Sequence, residues 1–202
     1  MIDCNPLLAS LALSLALATG NAHAATSADP GAPPTLDPAQ VDLARLISCQ
    51  DTPENFLPLA IAIQDPLQAV ALGWRPLPQA NMFMSEYLLN QPITVLGHRT
   101  DHIAFAGSSV MAVLDLPDPR PLARQLQLET ALDTPEKAMF GKEVLSEPFI
   151  DGDGKAQVRS MILNVSNVTS HPGKTLLGCT YSIDPEEEPA ESPASIAAPA
   201  AH

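Results

Sequence analysis

The densest group of residues able to do chemistry is His98-Arg99-Thr100-Asp101-His102. Two imidazoles and a carboxylate at this spacing are potential metal ligands, His98 and His102 acting with Asp101. A complete site would need a further donor from His171 or elsewhere. Thr100-Asp101 reads as a turn between two strands, so the group is first a polar loop and second a partner contact, because function concentrates on loops held by a rigid scaffold. No metal ligand and no cofactor is assigned.

Other candidates are weaker. Asp151-Gly152-Asp153-Gly154 opens like a calcium loop, but Lys155 stands where an acid or amide is required and no bidentate Glu follows. It reads as a glycine-rich hairpin turn. Gly107-Ser108-Ser109 lacks the second glycine of a nucleophile elbow and leads into a strand, not a helix. Glu86 with Glu143 or Glu147 could pair as acid and base, but no spacing identifies them, and they read as solvated strand faces. Asn164-Val-Ser and Asn167-Val-Thr match a glycosylation sequon short enough to arise by chance. Trp74, beside Arg75, has the makeup of an interface anchor, or simply closes a core. No catalytic residue follows from these patterns.

The elements that must position such groups are written in local signals. A capping residue followed by Pro recurs at Asp37-Pro38, Thr52-Pro53, Asp65-Pro66 and Asp118-Pro119, where the cap accepts from an orphan amide and Pro has no amide to satisfy. These predict helices over about 38–49, 53–64 (with a kink at Pro58), 66–72 (stopped by Gly73) and 119–128. A short helix is expected from Asp133 to about Gly141. Residues 74–81 read as turns. Strand-period alternation marks runs near 83–89, 93–98, 103–106 and 109–115, then 143–150 and 157–168 across the DGDGK hairpin, and finally 174–183. The expected fold is α+β: a largely antiparallel sheet of six or seven strands, with N-terminal and central helices packed on one face.

Residues 1–24 have an apolar run from Leu7 to Ala18 and the small-residue pattern Ala22-His23-Ala24, the features of a cleaved secretory signal peptide. The run is too short to span a hydrocarbon core of about 30 Å. Cys4 would leave with it, so Cys49 and Cys179 remain as an even pair in an exported chain and read as one disulfide, two separate buried thiols being the alternative. In the final strand, Leu177, Cys179, Tyr181 and Ile183 share a face, which points Cys179 inward. Residues 25–39 read as a flexible Pro/Ala-rich leader, 40–183 as one globular domain and 184–202 as a disordered acidic tail.

The net charge is −13, and −12 without Asp3. This excludes nucleic acid and anionic membrane surfaces as expected partners, and favours a basic protein. No membrane insertion is expected, and no oligomeric state is specified.

An export signal, the Cys49 and Cys179 pair, helices followed by a strand meander and the closing strand LLGCTYSI together resemble the periplasmic immunity and inhibitor proteins of Gram-negative interbacterial toxin systems. The resemblance implies a non-catalytic periplasmic protein that neutralises a secreted toxin or hydrolase attacking cell wall or membrane, its acidity steering a basic partner. The expected interface is three loop tips, with His98, Arg99, Asp101 and His102 on one, Asp151, Asp153 and Lys155 on another, and residues 170–174 including His171 on the third, plus Trp74 as a candidate anchor. The alternatives are an envelope enzyme or small-ligand-binding protein with a site on the sheet, and a structural envelope component tethered by its Pro-rich ends.

Overall fold

A computed structural model describes residues 41–186. The expected signal peptide, leader and Asp37-Pro38 cap, and the expected acidic tail beyond residue 186, lie outside the described residues.

The chain enters through three short helices, α1 (Leu43–Ile47), α2 (Pro53–Ala62) and α3 (Pro66–Ala71). Asp42 Oδ1 accepts from the Arg45 amide, so α1 starts later than the 38–49 expected, and Asp65 Oδ1 accepts from the Leu67 amide to start α3. Pro53 and Pro66 take first-turn positions, where no amide is missed. Gly73, at φ +80°, then turns the chain out of α3.

Four strands follow as an antiparallel meander: β1 (Trp74–Pro76), β2 (Ser85–Val95), β3 (His98–Ala106) and β4 (Ser109–Leu114). A helix, α4 (Arg120–Gln125), leads to a second meander of β5 (Glu129–Asp133), β6 (Ala138–Ile150), β7 (Ala156–Ser166) and β8 (Thr175–Pro185). Its last strand pairs with β4, giving one sheet in the order β1-β2-β3-β4-β8-β7-β6-β5 with every neighbour antiparallel.

The antiparallel α+β character matches expectation, but there are eight strands instead of six or seven. Residues 74–76, read as turn, pair with β2 as an edge strand. The runs at 83–89 and 93–95 are one strand, interrupted where Leu88 pairs with His102 and the next pair is Ile93 with Thr100. Pro92, which has no amide to give a ladder, sits in that bulge. The helix expected from Asp133 does not form, because the Arg120 guanidinium holds Asp133 Oδ1 at 2.6 Å and the Thr134 carbonyl at 2.7 Å. Thr134 Oγ1 meanwhile accepts from the Lys137 amide and closes a turn into β6.

The turn expected at Thr100-Asp101 lies instead at Leu96-Gly97, with φ of +46° and +87°, so Val95 and His98 face each other and residues 98–102 belong to β3. Two successive positive φ values make the tight link whose twist suits a hairpin, and Gly97 adopts its value without strain.

Strand alternation splits the apolar residues into two sets. Tyr87, Phe105, Val110, Leu177 and Tyr181 cluster with Leu46 and Ile47 of α1 and Phe56 and Leu59 of α2. Phe56 stacks on Tyr181 with centroids 4.6 Å apart, and the Tyr181 hydroxyl donates to the Leu46 carbonyl at 2.6 Å. Burial pushes that phenol's pKa up. Met84, Ala104, Met111, Val113 and Leu176 form a smaller second cluster. Ile183, expected inward, is 39 % exposed because β8 there has run past its last partner on β4, Ser109 opposite Thr180. No helix among the described residues is long and apolar enough to cross a membrane.

Cys49, just after α1, is disulfide-bonded to Cys179 on β8, closing a loop with a sequence separation of 130. Replacing both cysteines by serine should lower the unfolding free energy by about 5 kcal/mol on the chain-entropy model, read as an earlier urea midpoint. At Gly178 the β4 and β8 backbones approach so closely that an added Cβ would lie 2.9 Å from the Met111 Cα and press on the Val110 carbonyl. Gly178→Ala should therefore cost about 1–3 kcal/mol in the same titration, since neither backbone can move aside cheaply.

Candidate functional site

Glu86 on β2 and His102 on β3 are diagonal neighbours, because Glu86 pairs with Ala104 and Leu88 with His102. Diagonal positions on one face are within reach of long side chains, and the His102 Nε2 lies 2.8 Å from Glu86 Oε2. His171 arrives from the loop between β7 and β8, which folds back so that Val168 packs on the Met84 and Ala104 cluster. The His171 amide donates to the Val168 carbonyl and the Lys174 amide to the His171 carbonyl, two turns that set the ring in place. Its Nε2 lies 2.9 Å from the same Glu86 oxygen.

Three ligand-type atoms thus lie within 4.8 Å of one another. The Glu86 and His171 side chains are 4 % and 8 % exposed and that of His102 is 21 %. The second carboxylate oxygen, Oε1, is buried without a hydrogen-bond partner. His171 Nδ1 lies 2.9 Å from Ser170 Oγ, which also accepts from Asn81 Nδ2 at 3.2 Å. The Thr100 hydroxyl accepts from the His102 amide and donates to the Val113 carbonyl, fixing β3 opposite the β2 bulge.

On its more exposed side His102 borders an open groove lined also by Arg99, Asp101, Asp115 and Lys174. Lys174, hydrogen-bonded to Asp115, holds that carboxyl below the usual carboxylate range, with a smaller contribution from His102. Chemically, two imidazoles and a shielded carboxylate at one point can share protons or hold a cation.

The expected site residues are redistributed. His102 and His171 are brought together as partners of Glu86, His171 buried and His102 half-buried, and not as exposed tips. His98 stays beside the hairpin turn, paired with Val95 and outside this cluster. Arg99 and Asp101 are exposed. Asp151, Asp153 and Lys155 sit on the β6–β7 turn, at the opposite end of the sheet from the β2–β3 turn, so the three tips do not make one surface. Asp151 Oδ1 is occupied there, accepting from the Asp153 and Lys155 amides.

Trp74, the candidate anchor, is 7 % exposed and packed against Tyr87 and Phe105, where it closes the core. Ser109, from the Gly-Ser-Ser stretch, exchanges a hydrogen bond with Thr180 across β4 and β8. Glu143 and Glu147 are solvated, but Glu86 is not, contrary to expectation. The signal that could have found Glu86 is its place between Met84 and Leu88 in a strand alternation whose other members are apolar.

Comparison of the chain with protein-family models, with characterised proteins and with solved structures finds no match.

A shielded carboxylate that loses a partner keeps its desolvation cost. His171→Ala should therefore lower stability by about 1–3 kcal/mol in urea unfolding, whereas His98→Ala should stay within about 0.5 kcal/mol. Equal losses at the two positions would show that the Glu86 pairing contributes nothing.

Proposed function

We propose that the chain is a non-catalytic periplasmic binding protein of the immunity or inhibitor kind, which neutralises a basic secreted toxin or hydrolase. The observation that supports this most is the loop between β1 and β2, where Met82 and Phe83 are each 77 % exposed on a tethered backbone. Gln79 Nε2 donates to the Met82 carbonyl at 3.2 Å, Asn81 Oδ1 accepts from the Phe83 amide at 3.0 Å, and Met84 is buried beneath. Two large apolar side chains held in water on an ordered loop lose little further freedom on docking, and apolar and aromatic anchors of this kind carry most of the energy of an interface.

The loop shares an open groove with Ala60 of α2 and Gln64 just beyond it, and the neighbouring helical surface adds Leu57 and Ile61 at 40 % and 55 % exposure. In this reading the helices cover one face of the sheet, and the net charge of −12 left once Asp3 departs with the export signal speeds encounter with a cationic partner.

The Glu86, His102 and His171 convergence favours the second reading, an envelope enzyme or small-ligand-binding protein with its site on the sheet. The adjoining groove is open, whereas small-ligand sites bury most of the ligand surface, so the binder remains the better account.

Mixing the oxidised protein with secreted hydrolases or toxins encoded beside its gene should give a complex that co-elutes in gel filtration and an inhibited hydrolase. Met82→Asp with Phe83→Asp should weaken that complex by about tenfold or more without moving the urea midpoint. Failure of every neighbouring toxin to bind would overturn the inhibitor reading.

A further inference from the structure

We propose that Glu86, His102 and His171 form a binding site for one divalent transition-metal ion, with Zn2+ the best fit. The inference does not depend on the inhibitor reading.

The donor set comes first. Two imidazole nitrogens and one carboxylate oxygen suit Zn2+ and its first-row neighbours, whereas Ca2+ and Mg2+ take oxygen ligands. Both cysteines of the described chain are tied in the disulfide, so thiolate does not compete for the ion.

Geometry comes second. Ligands at 2.0–2.1 Å from a tetrahedral ion stand about 3.3 Å apart. The two nitrogens already lie 2.8 and 2.9 Å from the shared oxygen and within 4.8 Å of each other, so each need retreat from the oxygen by only a few tenths of an ångström while the two rings settle at the same spacing from one another. Third, Glu86 Oε1 is shielded from water and has no partner, and a cation beside the carboxylate is what would satisfy it.

The surroundings are those a metal-binding histidine needs. A ligating imidazole donates its other N–H outward, which fixes the tautomer. Ser170 Oγ stands 2.9 Å from His171 Nδ1 to accept it and is itself held by Asn81. Without an ion, each ring places an Nε2–H on Glu86 Oε2 and the Ser170 hydroxyl turns to donate to Nδ1 of His171. On binding, each ring gives up its Nε2 proton to solvent and takes one at Nδ1, a change of tautomer with no net loss, so that Nε2 is free for the ion and Ser170 Oγ becomes the acceptor for the His171 Nδ1–H. Three protein ligands leave a fourth position for water. The ligands come from β2, β3 and the β7–β8 loop, so the ion would pin that loop to the sheet.

The test uses the oxidised, tag-free full chain carrying Cys4→Ser, which removes the one thiol outside the disulfide, titrated with Zn2+ by calorimetry and with Co2+ by visible absorption. One ion per chain, a tetrahedral Co2+ spectrum and a rise in melting temperature reversed by EDTA are expected. Glu86→Gln and His102→Ala should abolish stoichiometric binding, Ser170→Ala should weaken it by about 10- to 100-fold, and His98→Ala should leave it unchanged. A folded wild-type chain that takes up neither ion stoichiometrically overturns the proposal, whatever the variants do. Uptake that survives Glu86→Gln and His102→Ala also overturns it, by placing the ion elsewhere.

Discussion

The pairing of β4 with β8 is the constraint on which the rest of the fold depends. Ser109 faces Thr180 and Leu114 faces Thr175, so partners far apart in the chain must meet before either meander has a complete core beneath it. Closing so long a connection is entropically unfavourable and kinetically slow. Burial along the seam offsets it: Val110, Ala112, Leu177 and Cys179 are each fully shielded from solvent. The glycine at 178 lets the backbones approach, and the Cys49 bridge ties the same strand to α1.

Around that seam the two halves have the same plan, a short helix followed by four antiparallel strands, α3 with β1 to β4 and α4 with β5 to β8. The strand order reads the same from either edge, although no repeat is visible in the sequence. Each half ends at a short edge strand, three residues in β1 and five in β5. Short edges, one of them ending in Pro76, offer little template for pairing with another chain.

The polar cluster follows from the same alternation that builds the core. Residues 85, 87 and 89 pass to one side of β2 and 84, 86 and 88 to the other, so the strand that sends Tyr87 toward the helices sends Glu86 to the face covered by the β7–β8 loop. That loop supplies a second histidine and shields the carboxylate from water. The exposed Met82 and Phe83 lie a few residues away, and Asn81 bonds both to the Phe83 amide and to Ser170. The apolar tip and the buried cluster are therefore joined by one side chain.

Much of the architecture was legible in the sequence, because it is carried by local signals. Asp65 before Pro66 starts a helix, DGDGK closes a hairpin, period-2 alternation marks β7 and β8, and Cys49 and Cys179 form the disulfide. The structure departs from expectation where a segment's state depends on a long-range partner. Trp74–Pro76 is a strand only because β2 lies beside it, the segment after Asp133 is extended because Arg120 reaches it, and the β2–β3 turn falls at Leu96 because the bulge at Pro92 shifts the register. The site was the least legible part. Composition and spacing drew attention to His98 with His102, yet the residues that meet are Glu86, His102 and His171, the last separated from Glu86 by 85 positions. The sequence by itself determined the local elements, the covalent staple and the acidic charge. The tertiary structure decided which face each strand residue took and which loop covered it, because a carboxylate becomes a buried ligand only when distant chain closes over it.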